Sequence, residues 1–139
     1  MGKIHIDSKY KGLIFDLDGT LADSMPIHLK AWQKAGEKYG FTYSEFDLNN
    51  YAGKSGVEIV HLINEKQNVS LDPEIIVAEK ESNFIENLHL VKPINAVLEL
   101  FTENYGKIPM AVGTGSFRRI ATQIIDNIGL SNKVEHLVS

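Results

Sequence analysis

Two aspartates two residues apart are the first residues of this sequence whose types and spacing predict chemistry. Asp16 and Asp18 stand in the stretch GLIFDLDGTLADS, directly after a short apolar run. Side chains alternate along a strand, so we expect both carboxylates on the same side of it. Two neighbouring carboxylates can divide catalysis between a nucleophile and a general acid and base. Glycine at position 19 permits a sharp turn or the close approach of a ligand, and a turn of free amides after it would suit an anion.

The elements that must position these aspartates are strands. The run at 12–17 predicts a buried strand, because short continuous apolar runs are typical of a sheet covered on both faces. Runs at 108–113 and, more weakly, at 134–139 predict two further strands. Open α/β sheets bind ligands at the carboxyl ends of their strands. The sequence therefore predicts an α/β core in which both carboxylates face a ligand site.

The long segment between the first two predicted strands contains residues that are typical of helix starts, so we predict that it is helical. Capping residues or prolines that are typical of helix starts occur there and beyond it, at Pro26, Ser44, Ser55, Asp72, Pro93 and Ser116. About 90 residues separate the two strands, whereas a parallel crossover needs only about a dozen. One helix at about 94–105 can form that crossover. We therefore predict a core at 1–22 and 91–139 and an inserted helical cap at 23–90.

The composition excludes several classes of protein. The chain has 139 residues, of which 43% are hydrophobic, and this is enough for one domain or a small core with a subdomain. Its net charge is −4 without a cluster of basic residues, so no nucleic-acid partner is expected. It contains no cysteine, which excludes disulfides and thiolate metal sites. No signal peptide and no membrane span are evident, so a soluble, cytoplasmic protein without a membrane partner is predicted.

Two motifs resemble those of a known family. DLDGTL resembles the first motif of the haloacid dehalogenase superfamily, and MAVGTGS at 110–116 is similar to its second motif. A helical cap directly after the first motif is similar to the β-phosphoglucomutase-like subfamily. AVGTGS, together with the spacing of His28 and Trp32, most resembles bacterial fructose-1-phosphate phosphatases. The resemblance implies a three-layer Rossmann-like α/β core, here without its C-terminal strands, and an inserted helical cap.

The resemblance also implies roles for individual residues. Asp16 would attack phosphorus and form an aspartyl-phosphate, and Asp18 would protonate the leaving oxygen and later activate water. Mg²⁺ would bind the Asp16 carboxylate and the backbone carbonyl of Asp18, and this hard ion prefers such oxygen ligands. Gly19, Thr114 and Gly115 would bind the phosphate, aided by the amides of a helix that opens at Gly115 and the following serine.

Residues of the predicted cap receive substrate roles from the same resemblance. His28 matches a histidine near the cap hinge, and Lys80 matches a cap lysine that contacts substrate. A structural histidine and a solvated lysine are the alternatives at these two positions. Asp23 is either a helix cap or a residue that stabilises the hinge. Lys54 is a further candidate for substrate contact, in the cap loop AGKSGVE.

Two more motifs of the family are absent from the sequence before Ser139. One supplies a lysine that stabilises the nucleophile and the phosphate, and the other supplies acidic residues that complete the Mg²⁺ site. Lys133 precedes the third strand and does not match the lysine motif. We therefore expect a fragment of a longer phosphatase, with a shortened relative of the family as the alternative. Its first strand would be an exposed sheet edge, through which the chain could self-associate.

The function predicted for the parent protein is a Mg²⁺-dependent phosphatase of small phosphorylated sugars. A β-phosphoglucomutase is the first alternative. It is disfavoured because Gly56 stands where the mutase carries an arginine for the second phosphate, although Lys54 could substitute. The second alternative is a non-catalytic fragment that binds only phosphate or a partner.

Overall fold

The structure, a computed structural model, describes residues 2–139 and divides them into two compact units. The α/β unit consists of residues 2–24 together with Val91–Ser139, and the helical unit consists of Met25–Leu90. The helical unit therefore begins two residues later than the predicted cap at 23–90 and ends at the same residue.

The strands are short and belong to the α/β unit: β1 Leu13–Asp16, β2 Ala22–Asp23, β3 Lys92–Pro93, β4 Met110–Gly113 and β5 Leu137–Val138. The α-helices are α1 Met25–Tyr39, α2 Glu45–Asn50, α3 Gly56–Gln67, α4 Pro73–Glu86, α5 Asn95–Asn104 and α6 Arg118–Asn127, with a 3₁₀ helix at Leu88–Leu90. None of the helices within residues 2–139 has the length and apolar character that crossing a bilayer requires.

The principal sheet is parallel and has the strand order β1-β4-β5. The strands predicted at 12–17 and 108–113 are confirmed with shorter bounds, and the third contains only Leu137–Val138. Among residues 2–139, β1 lies at the edge of this sheet, as the sequence predicted. A separate antiparallel pair, β2 with β3, places Asp23 opposite Lys92.

The two faces of β1 have different environments. Phe15 is buried, and its ring lies 5.2 Å from that of Phe101 in α5. Ile14 points to the opposite face and is 83% exposed. The prediction that the whole apolar run is buried is therefore wrong at Ile14. An alternating strand with one packed face buries only every second residue.

Helix starts in the helical unit follow the capping signals of the sequence. Ser44 and Ser55 each form a capping box with the acidic residue three positions later, and Asp72 caps α4 with Pro73 at its first turn. Helices α1, α3 and α4 and the segment before α2 form a common core of Trp32, Ala35, Phe41, Tyr43, Ile59, Val60, Ile63, Ile76 and Val77.

Two predicted helix starts in the α/β unit are wrong. Pro93 belongs to β3, and α5 begins two residues later at Asn95. Proline lacks an N–H and is tolerated at a strand edge, as it is at a helix start, so the residue type alone did not distinguish the two. α6 begins at Arg118, not at Gly115 or Ser116, because the Ser116 amide donates to the Thr114 hydroxyl in a loop.

Candidate active site

The two sequence motifs meet at the carboxyl edge of the parallel sheet. Asp16, the last residue of β1, is paired in register with Gly113, the last residue of β4. Because the strands are parallel, the residues that follow each of them emerge at the same edge. Asp18 and Thr114 are consequently brought together although 96 residues separate them in the chain.

The turn after β1 is built on the carbonyl of Leu17, whose side chain is fully buried. That carbonyl accepts the amides of Thr20, Leu21 and Ala22 at 3.2, 3.0 and 2.9 Å. Gly19 has φ of 77° and donates its own amide to the Ala22 carbonyl at 2.8 Å. The expectation that this turn offers free amides to an anion is therefore wrong for these residues. Gly19 serves the turn through its positive φ, which glycine adopts at low cost.

The Asp16 side chain is exposed at this edge. Its Oδ1 accepts the backbone amide of Leu17 at 2.8 Å, and its Oδ2 accepts the Thr20 hydroxyl at 3.5 Å. A carboxylate has roughly four acceptor positions, and these two contacts use about half of them. The geometry holds Asp16 in one orientation and leaves it accessible to a reactant.

The Asp18 carboxylate is half-buried and accepts hydrogen bonds from three hydroxyl groups. Ser24 donates to Oδ1 at 2.5 Å, while Ser116 and Thr114 donate to Oδ2 at 2.8 and 3.3 Å. Sequence reasoning gave no role to the hydroxyls of Ser24 and Ser116. The signal for Ser116 was the pair of hydroxyl residues two positions apart in GTGS, which leave the end of a strand together.

Thr114 is held through both its backbone and its side chain. Its amide donates to the Val138 carbonyl at 2.9 Å, and its hydroxyl oxygen accepts the amide of Ser116 at 3.1 Å. Gly115, between them, is exposed. The second motif thus ends in a loop that presents hydroxyl groups beside Asp18.

The helical unit brings together two of its three predicted substrate residues. Lys80 Nζ lies 2.9 Å from His28 Nδ1, and the buried His28 ring stacks on Phe84 with a centroid distance of 4.2 Å. Trp32 and Phe84 are buried core residues, and Lys80 Nζ lies within 5.7 Å of both ring centroids. Lys54 is exposed in the turn between α2 and α3.

The donor set at the edge of the sheet consists of oxygen atoms, which suits a hard cation such as Mg²⁺. Within residues 2–139 no group of three or more His, Cys, Asp or Glu side chains is placed to hold a metal ion. Mg²⁺ is commonly bound by one or two carboxylates together with substrate phosphate and water. The exposed Asp16 carboxylate and the carbonyl of Asp18 fit such a partial protein contribution.

Comparison with known proteins places the chain in a family. The family model described as haloacid dehalogenase-like hydrolase matches residues 13–139. The chain belongs to the haloacid dehalogenase-like hydrolase family, and the resemblance predicted from the sequence is confirmed. It is 35% identical over 132 residues to the fructose-1-phosphate phosphatase YqaB of Escherichia coli (strain K12), a match that covers 94% of this chain and 70% of that protein.

Solved structures confirm the predicted α/β fold class. A hydrolase from Pseudomonas syringae matches with a TM-score of 0.79 and 22% identity, over 93% of this chain and 61% of that one. A β-phosphoglucomutase from Clostridium difficile matches with a TM-score of 0.77 and 21% identity, over 91% of this chain and 60% of that one. The chain thus spans about three fifths of the length of these structures.

Proposed function

We propose that the protein is a Mg²⁺-dependent phosphatase of small phosphorylated sugars that works through an aspartyl-phosphate on Asp16. One observation carries the proposal: an accessible carboxylate and a second carboxylate bonded to hydroxyl groups lie at the same sheet edge as Thr114. The similarity to a fructose-1-phosphate phosphatase supports a phosphorylated sugar as substrate.

The first chemical step assigns different work to the two aspartates. An Asp16 carboxylate oxygen attacks phosphorus, a P–O bond forms, and the bond from phosphorus to the sugar oxygen breaks. Asp18, protonated for this step, gives its proton to the leaving oxygen. The Thr114 hydroxyl donates to the transferring phosphoryl group, and Gly115, which has no side chain, lets that group approach the loop. Positioning and charge neutralisation dominate such transfers.

The second step hydrolyses the aspartyl-phosphate. Asp18, now a carboxylate, takes a proton from a water molecule as that water attacks phosphorus. The bond between phosphorus and Asp16 breaks, which releases inorganic phosphate and restores the free carboxylate. The hydroxyl groups of Ser24 and Ser116 lie within hydrogen-bond distance of Asp18. A hydroxyl can donate to a carboxylate or accept from a carboxylic acid, so this setting suits Asp18 both as the acid of the first step and as the base of the second.

The Asp16 carboxylate and the Asp18 backbone carbonyl would hold the Mg²⁺ ion. A bound dication supplies neutralisation of negative charge on the phosphoryl oxygens. Asp16 meets this requirement because its side chain is exposed and its two hydrogen bonds come from neutral groups.

We further propose that His28, Lys80 and Lys54 contribute to binding of the sugar phosphate. Lys80 combines a charge with two aromatic faces, those of Trp32 and Phe84. A lysine has only hydrogen-bond donors, which suits sugar hydroxyl and phosphate oxygens. The cytoplasmic location and self-association through the β1 edge stay predictions from the sequence.

The mutase alternative requires a group that grips a second phosphate, and the structure bears on whether position 56 could carry it. A Cβ atom added at Gly56 would lie 2.9 Å from Val77 Cγ2, a contact that real Cβ atoms essentially never make. An arginine at this position would therefore need Val77 to shift. The glycine at this position offers no charge to a second phosphate, which supports hydrolysis over phosphate transfer between sugar positions.

Phosphate release from fructose 1-phosphate by the full-length protein tests the proposal. Replacement Asp16→Asn removes the nucleophile and should lower turnover by about a thousandfold or more. Asp126→Asn is the matched control, since Asp126 is an exposed aspartate of the same unit that accepts a serine hydroxyl. Near-normal phosphate release by Asp16→Asn would contradict the role of Asp16 as the nucleophile.

Two other outcomes would favour the alternative functions. Rapid conversion of glucose 1-phosphate to glucose 6-phosphate without phosphate release, given a trace of the 1,6-bisphosphate, would favour the mutase. Mg²⁺ binding without turnover of any phosphate monoester would favour the non-catalytic alternative.

A further inference from the structure

The hydroxyl group of Thr114 has one hydrogen to donate, and the structure shows it donated to Asp18. In the structure it donates to Asp18 Oδ2 at 3.3 Å while its oxygen accepts the amide of Ser116. A threonine hydroxyl has one donor hydrogen, so it can serve one acceptor at a time. The proposed function requires this hydrogen to be donated to a bound phosphoryl oxygen, and Thr114 would then lose its hydrogen bond to Asp18.

Ser116 reaches the same carboxylate oxygen over a shorter distance. Its hydroxyl donates to Asp18 Oδ2 at 2.8 Å, and its backbone amide is anchored on Thr114 at 3.1 Å. Ser24, which is fully buried, restrains the other oxygen of the carboxylate at 2.5 Å. Both oxygens of Asp18 thus keep a hydroxyl donor when Thr114 turns away.

We propose that Ser116 is a positioning residue that keeps Asp18 aligned for proton transfer while Thr114 binds the phosphoryl group. This inference rests on the proposed phosphatase function. Ser116 acts through Asp18, so its removal misaligns the acid and base without removing a contact to the substrate. The turnover number should fall while KM stays nearly constant, since the lost interaction serves the chemical steps.

The experiment compares Ser116→Ala, Ser116→Thr and Ser131→Ala in the full-length protein with fructose 1-phosphate. Ser131→Ala is the matched control. The Ser131 hydroxyl donates to the Asp126 carboxylate at 2.8 Å, the same distance as between Ser116 and Asp18, but this pair is exposed. We expect Ser116→Ala to lower kcat by about tenfold to a hundredfold, the range of a hydrogen bond to a charged group. KM should change less than about twofold. Ser116→Thr should restore most of kcat because it keeps the hydroxyl, and Ser131→Ala should behave as the wild type.

Three results would overturn the positioning role: kcat and KM both unchanged in Ser116→Ala, a rise in KM with unchanged kcat in that variant, or no rescue by Ser116→Thr at unchanged thermal stability. The second would instead indicate direct binding of phosphate. Turnover by the wild type and its loss in Asp16→Asn would show that the proposed function stands in each of these cases. A wild-type protein that releases no phosphate from any phosphate monoester would overturn the function and the positioning role together.

Discussion

Lys80 and His28 lie 52 residues apart in the chain and meet at 2.9 Å between Nζ and Nδ1. A lysine ammonium group has only donors, so the ring nitrogen must accept. A hydrogen bond from a charged Lys80 therefore requires Nδ1 as the acceptor, which places the imidazole proton on Nε2. The stacking of the His28 ring on Phe84 fixes the plane in which these two nitrogens point.

Replacement Lys80→Gln should weaken substrate binding. It removes the charge that lies over the faces of Trp32 and Phe84 and beside His28. We expect KM for fructose 1-phosphate to rise by about tenfold, the effect of roughly one hydrogen bond to a charged group. Lys34→Gln is the control, because Lys34 is an exposed lysine of the same unit in an ion pair with Glu86. An equal rise in KM for both variants would contradict a specific role for Lys80.

Replacement Gly56→Ala should destabilise the helical unit. The added methyl group would meet Val77 Cγ2 at 2.9 Å, and such overpacking costs about 1–3 kcal/mol. Urea unfolding of Gly56→Ala, Val77→Ala and the double variant measures the contact. The double variant should lose less stability than the sum of the single changes, by about 0.5 kcal/mol or more. Additive losses would mean that the two positions do not compete for space.

The stability of the helical unit should depend on pH through Asp47. Burial raises the pKa of this carboxyl group, but hydrogen bonds from Lys66 and Ser44 outweigh burial and hold the pKa below its ordinary value. A carboxyl with a lowered pKa stabilises the fold above its unfolded pKa and loses this contribution as the pH falls through the folded pKa.

Asp47→Asn should consequently lower the free energy of unfolding by about 1–2 kcal/mol at pH 7. The difference in free energy of unfolding between the variant and the wild type should decrease below about pH 4. Urea titrations at pH 7, 5 and 3.5 measure both effects. Glu45→Gln changes an exposed charge in the same helix and should have a smaller effect. If this difference stays constant down to pH 3.5, the Asp47 charge does not stabilise the helical unit.

Removal of divalent cations should abolish phosphate release, and Mg²⁺ should restore it. The physical reason is that Asp16 and the Asp18 carbonyl offer oxygen ligands, which Mg²⁺ prefers. Calorimetry on Asp16→Asn provides a readout independent of turnover, since loss of a carboxylate ligand should weaken Mg²⁺ binding. Asp126→Asn again controls for loss of an exposed charge. Full activity in the presence of a chelator would contradict the metal requirement.

Much of the framework was predictable from local signals. The apolar runs at β1 and β4 indicated strands, and the capping residues Ser44, Ser55 and Asp72 indicated helix starts that the structure confirms. These signals act within a few residues of chain, since a cap bonds to an amide two or three positions away. Ile14 was missed because burial depends on what packs against each face of a strand, which no local pattern specifies.

The sequence alone determined where chemistry could occur, because DLDGT directly follows an apolar strand and its two carboxylates come two residues apart. Only the tertiary structure decided how the carboxylates differ. Ser116 lies 98 residues from Asp18 in the chain, and their contact depends on the register that pairs β1 with β4. The meeting of His28 with Lys80 likewise depends on the packing of α1 against α4. Such contacts depend on how segments that are distant in the chain pack together. Residue type and spacing along the chain do not specify that packing.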